Sequence, residues 1–182
     1  MNDTTDFAPQ PVLESRTLRL RPIQPDDFEP LYAAASDPRV WEQHPSSDRY
    51  KRPQFQQWFT DAMASGSALI VIDRDTARVI GSSRYYEWDP TQQEVAIGYT
   101  FLAHDFWGGK TNAEMKRLML DHAFQWAKRV WFHVAAGNTR SRKAMEKIGG
   151  VLSHRGIKTL NGTDHDYYFF RIDSQKAARK EN

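Results

Sequence analysis

Residues Phe106 to Leu118 read FWGGKTNAEMKRL, and Gly109-Lys110-Thr111 among them is the tail of a phosphate-binding loop. A complete loop of that kind needs a second glycine five residues before Gly109, because its backbone must wrap the phosphates. His104 stands there, so the nucleoside-triphosphate motif is incomplete. What remains is a strand-like run, a glycine pair and a helix start. The first turn of a helix has unpaired N–H groups and a partial positive charge, so it accepts an anion readily. Gly108 and Gly109 let that backbone come close to a diphosphate, and Lys110 adds charge; the bland alternative is an ordinary glycine turn. A second stretch, AAGNTRSRKAMEKIGG, puts Asn138 after a strand and Ser141 three residues on. Taken alone, Asn138 is a helix N-cap and Ser141 a first-turn residue.

The elements that must hold these stretches follow from periodicity. TLRLRPI (Thr17 to Ile23) reads as a strand, and PDDFEPLYAAAS as a helix beginning near Asp27, since Pro30 is tolerated only in a first turn. Arg52 to Ser65 reads as a second helix with a Phe55, Trp58, Phe59 and Met63 stripe. ALIVID, RVIGSSRYYEW and QEVAIGYTFL form an antiparallel meander with turns at RDTA and DPTQ. Asn112 to Lys128 is the strongest helix, with Met115, Leu118, Met119, His122 and Trp126 on one stripe. The strand VWFHVAA, a short helix ended by glycines, and the strands VLSHRGIKTL and HDYYFFRI complete the chain. Strand, long helix, strand from Glu94 to Ala136 is a right-handed crossover joining parallel neighbours in an otherwise antiparallel sheet.

Composition narrows the function classes. The chain has 182 residues, enough for one domain (1–182), with polar, aperiodic and flexible ends at 1–12 and 173–182. A formal charge of +2 without basic blocks argues against a nucleic-acid partner. There are no cysteines, hence neither a disulfide framework nor a thiol nucleophile. The longest apolar run, Ala68 to Ile72, is too short to span a bilayer, and no signal peptide is visible, so a cytoplasmic protein off the membrane is expected. The six histidines show no ligand pair beside a glutamate, so no metal is expected.

The meander, the glycine turn, the long helix and Asn138-x-x-Ser141 before EKIGG resemble the GNAT superfamily of acyl-CoA-dependent N-acyltransferases. SRTLRLRPIQPDDFEPLY and AIGYTFLAHDFWGGKTNAEMKRLML are similar to its branch acetylating N-terminal amines of ribosomal proteins; the resemblance spans 13–172. It implies an α/β (α+β) fold: a mixed, mostly antiparallel sheet of about seven strands, flanked by about four helices, with one splayed parallel pair. It implies acetyl-CoA as cosubstrate and a primary amine as acceptor, foremost a protein N-terminal amine. The pantetheine arm would bond strand backbone at Tyr99, Thr100, Phe101 and Leu102. The turn Trp107, Gly108, Gly109, Lys110, Thr111 and Asn112 would take the pyrophosphate. Asn138 and Ser141 would meet the arm, and Arg142 or Lys143 the ribose phosphate.

Five positions depart from the family pattern. Trp107, Lys110 and Asn112 stand where the loop usually has Gln/Arg, Gly and Gly/Ala. Met145 replaces the tyrosine acid of many members, leaving Ser141 to protonate the departing thiolate. Ala96 stands where the branch often carries Glu; Glu94, on the same strand face by period two, is the candidate base through water. Trp41, His44, Trp58, Tyr85, Tyr86 and Trp88 border the acceptor side in such a fold. The alternatives left open are a metabolite or antibiotic amine acetyltransferase, a catalytically silent acyl-CoA-binding module, and an ATP-using enzyme. An exposed final strand would also allow a homodimer.

Overall fold

Leu18 and Leu20 alternate with Arg19 and Arg21, and the leucines are 2% and 0% exposed, so the run forms a strand with one dry face. The computed structural model describes residues 6–175. Its strands are β1 Leu13–Glu14, β2 Leu18–Pro22, β3 Ala68–Asp73, β4 Val79–Asp89, β5 Glu94–Leu102, β6 Arg129–Ala135, β7 Val151–Leu160 and β8 Thr163–Asp173. Its helices are α1 Phe28–Ala35, α2 Arg52–Ala64, α3 Thr111–Ala123 and α4 Thr139–Lys147. The strands form one sheet in the order β1-β2-β3-β4-β5-β6-β8-β7, antiparallel throughout except for β5 and β6.

Each helix starts where its sequence allows. Pro25 opens a short 3-10 turn before α1, and Pro30 lies in the first turn of α1, where its missing N–H costs nothing. The Asp27 carboxylate accepts from the Gln24 N–H and is gripped bidentately by Arg21 at 2.9 and 2.7 Å, tying this turn to β2. Gly149, at φ +84, ends the α4 segment, and the Gly150 N–H returns to the Met145 carbonyl at 2.8 Å.

Strand alternation splits the core in two. Leu69 and Val71 of β3 pack with Met115 and Met119 of α3 on one face. Ala68 and Ile70 pack with Phe55, Trp58 and Phe59 of α2 on the other. The sheet therefore separates α3 and α4 from α1 and α2.

Four details differ from the sequence reading. A two-residue strand, β1, pairs Leu13 with Leu20. Helix α3 stops at Ala123 rather than Lys128, because the chain turns there and lets Trp126 pack against Phe7 and His122. The last strand is not an edge: β8 lies between β6 and β7, and β7 is the outer strand. Finally, of the terminal segments expected to be loose, 1–5 and 176–182 lie outside the described residues, while Phe7 is 8% exposed among Tyr85, Trp88 and His122. His122 is a satisfied core residue whose Nε2 lies 2.7 Å from the Ala8 carbonyl oxygen.

Candidate active site

Strands β5 and β6 pair at three positions only, Glu94 to Ala96 against Arg129 to Trp131. Beyond Ala96 they part, although β5 continues to Leu102 and β6 to Ala135. The cause lies on the other side of β5. Ser82 pairs with Phe101 and Arg84 with Gly98, so Tyr99 and Thr100 face Ser83 alone. This is a bulge, with Tyr99 at φ +52, and it bends β5 away from its parallel neighbour. The extra residue also inverts the alternation. Thr100, expected on the face of Glu94 and Ala96, turns instead toward α3, where its hydroxyl meets Lys116.

The parting leaves a cleft of about 540 Å³ bounded by β5, β6, the starts of α3 and α4, and the Val40–Pro45 segment. Tyr99, Thr100, Phe101 and Leu102 line it from β5, and Phe132 to Ala135 from β6. At its end beside the start of α3 stand Trp107, Gly108, Gly109 and Asn112. Gly108 has φ +75, a conformation that glycine adopts without strain. Trp107 anchors the turn by donating its indole N–H to the Leu102 carbonyl at 3.0 Å, and the Arg140 guanidinium stacks on its ring at 3.7 Å. Lys110 immediately precedes α3 and is exposed, and Thr111 is the first residue of the helix; neither side chain lines the cleft.

Asn138 and Ser141 are brought together at the start of α4. The Asn138 Oδ1 accepts from the Ser141 N–H at 3.0 Å, so Asn138 is an N-cap as well as a cleft residue. Its amide nitrogen remains for another partner. Two candidates lie elsewhere. Arg142 points away from the cleft, its guanidinium 4.3 Å from the Tyr168 ring, and Arg140, Lys143 and Lys147 line the cleft in its place. Glu94 stands where β5 and β6 are still paired, with one oxygen 3.2 Å from Arg129 Nη1 and the other accepting from Trp131 Nε1 at 2.7 Å. It does not line the cleft, and among the described residues no Asp or Glu does.

The least expected cleft residue is Lys116, 3% exposed on α3. Its Nζ donates to Thr100 Oγ1 at 2.6 Å and lies 3.4 Å from Ser83 Oγ, with no carboxylate paired to it among the described residues. Burial pushes its pKa down to about 7. A signal was present in the sequence: Leu120 and Ala123, four and seven residues on, put Lys116 on a buried stripe. Across the cleft, burial and then the Arg49 charge lower His44 to about 3, so it is neutral at pH 7. Burial followed by the Lys158 charge lowers His133 to about 4. Of the aromatics assigned to the acceptor side, Trp41 lines the cleft, whereas Trp58 and Tyr85 are core residues and Trp88 packs on Phe7. Among the described residues no group of three or more His, Cys, Asp or Glu side chains could hold a metal ion, and no helix is long and apolar enough to cross a membrane.

A sheet opened at one parallel pair, with a helix N-terminus beside the opening, is the arrangement expected of the GNAT fold. Residues 17–151 match the model of the acetyltransferase (GNAT) domain, and the chain belongs to that family. Enzymes of the family use acetyl-CoA as cosubstrate and an amine as acceptor, and this chain is accordingly an acyltransferase. The structure is similar to that of a GCN5-related N-acetyltransferase from Brucella melitensis, with TM-score 0.81 and 21% identity over 90% of this chain and 79% of that one. It is also similar to a ribosomal-protein-S5-alanine acetyltransferase from Vibrio fischeri, with TM-score 0.68 and 16% identity over 91% and 98%. A chimera of the Vibrio cholerae spermidine N-acetyltransferase and hSSAT aligns with TM-score 0.65 and 16% identity over 90% and 99%. At such identities the likeness is one of fold. A search of curated proteins finds no match.

Proposed function

We propose that this protein transfers an acetyl group from acetyl-CoA to an α-amine, foremost the N-terminal amine of a protein chain. The observation that carries the reading is a cleft opened between β5 and β6 whose lining, among the described residues, contains no Asp or Glu. Acetyl-CoA supplies a thioester, an acetyl group made electrophilic by its sulfur. The residues present suit it. The β5 backbone from Tyr99 to Leu102, left without a partner on its β6 side, suits the pantetheine arm, the Gly108, Gly109 and Asn112 amides suit the diphosphate, and Lys143 and Lys147 in the lining, with Lys110 just outside it, supply positive charge.

The absence of a lining carboxylate bears on the acceptor. An α-amine with a pKa of about 8 is roughly one-tenth neutral at pH 7, whereas a lysine near ~10.4 is neutral in only about one molecule in a few thousand. A site without a carboxylate to take the proton therefore favours α-amines. The Ser141 hydroxyl, in the first turn of α4, is the proton donor of the cleft.

Release of coenzyme A thiol, followed over a panel of peptides and small amines, tests the reading. Acceptor-dependent release with free α-amines leading is expected; release from lysine side chains or spermidine alone would overturn the acceptor class. Binding of acetyl-CoA without release would mean a silent module. Ser141→Ala is expected to lower kcat about tenfold without abolishing turnover, because a thiol of pKa ~8.5 makes a modest demand on its acid. An unchanged kcat would remove Ser141 from that role.

A further inference from the structure

On the α1 and α2 side of the sheet, beyond β5, two arginines stand without a carboxylate in ion-pair contact, the nearest acidic influences being Asp48 on Arg49 and Asp61 on Arg84. Arg84 of β4 is 6% exposed, and its Nε and Nη2 are buried with no hydrogen-bond partner. Its guanidinium lies 4.2 Å from the ring of Tyr99, which is 47% exposed and lines the cleft, and 6.0 Å from Trp58. Arg49 is half-buried, 5.5 Å from the Trp41 ring and 3.3 Å from His44 Nε2. Neither arginine forms an ion pair among the described residues. Burial lowers the pKa of Arg49, and the Arg84 charge lowers it further against the opposing influence of Tyr99 and Tyr167. Tyr99 is thus the neighbour common to both guanidiniums, and the aspartates that act on them, Asp48 and Asp61, make no ion pair with either.

Coenzyme phosphates do not account for this pair. They belong with Lys110 at the start of α3 and with Lys143 and Lys147 along α4, whereas Arg84 shares the α2 face of the sheet with Trp58. A buried, unpaired guanidinium costs several kcal/mol, and its planar fork matches one kind of partner well, a carboxylate. We infer that the acceptor carries a carboxylate close to its reacting amine, received by Arg49 and Arg84, which stand directly behind the cleft-lining His44 and Tyr99. The inference rests on the proposed amine acetylation and specifies its substrate class. It also disfavours polyamines, whose charge these arginines repel.

Rates of thiol release are compared for peptides beginning Ala-Asp, Ala-Asn and Ala-Lys, and for free aspartate and asparagine. The acid member is expected to exceed its amide by about tenfold or more in kcat/KM, and Ala-Lys to be poorest. The better acid, peptide or free amino acid, identifies the source of the carboxylate. Arg84→Met and Arg49→Gln are each expected to reduce the acid-to-amide preference to within about twofold. Arg84→Met should also keep or raise Tm, since it removes an unpaired buried charge. Equal rates for acid and amide, or a preference that survives both substitutions, overturns the inference. If no acceptor releases thiol, the acetylation reading fails, and calorimetry with the Ala-Asp and Ala-Asn peptides decides the carboxylate site: tighter binding of the acid, lost in Arg49→Gln, keeps it, and equal binding ends it.

Discussion

Replacing Lys116 with methionine is expected to stabilise the protein by about 2–4 kcal/mol at pH 7 and below. The folded chain holds this amine at a pKa of about 7, below the ordinary 10.5. Between those values the unfolded chain binds a proton that the folded chain does not, so stability rises with pH across that window. The penalty for burying Lys116 is therefore complete below about pH 7 and fades as pH approaches 10.5. The methionine variant loses one hydrogen bond to Thr100, worth about 1 kcal/mol, but Thr100 keeps Ser83 at 2.8 Å. Thermal unfolding at pH 6, 8 and 10 measures the effect. A gain of several degrees at pH 6 that shrinks toward pH 10 is expected. A loss of equal size at all three pH values would show that the ammonium is well paired in the fold.

Gly81→Ala should act in the opposite direction, costing about 3 kcal/mol or more. Gly81 faces Leu102 across β4 and β5, and a Cβ there would overlap the Phe101 carbonyl oxygen and come within 3.0 Å of Leu102 Cδ2. Backbone cannot rotate away as a side chain can, so β5 itself has to move. Phe101 and Leu102 both line the cleft, and the Leu102 carbonyl holds the Trp107 indole. The displacement should therefore raise KM for acetyl-CoA as well as lower the denaturation midpoint. Gly98→Ala is the matched control. Its Cβ would meet the Tyr86 Cε1 at 2.9 Å, a ring edge that can shift, so a smaller loss of stability is expected. Equal losses at the two positions would show that β5 is not held rigidly at Phe101.

The two helix starts at the cleft were legible because their signals are local. A glycine pair before a helical stripe, and Asn-x-x-Ser after a strand, describe a helix start whatever surrounds them. Gly108 at φ +75 and the Asn138 cap on Ser141 are those signals realised. Arg142 was a less secure choice, since its neighbours Arg140 and Lys143 carry the same charge and helical phase alone selects among them. Glu94 was out of reach for a different reason. Its role depended on where along β5 the cleft begins, and β5 is still paired to β6 from Glu94 to Ala96, so the opening starts beyond it. Its actual partners, Arg129 and Trp131, lie across a crossover of more than thirty residues.

By itself the sequence determined the order of elements, the single parallel crossover and the two helix starts that face it, because each is written in a short run of neighbouring residues. Only the tertiary structure decided where β5 leaves β6, which charges remain without partners and which carboxylates are absent from the cleft. Those outcomes depend on burial and pairing between residues distant along the chain, such as Lys116 with Thr100 or Arg84 with Tyr99, whose meeting no local pattern encodes.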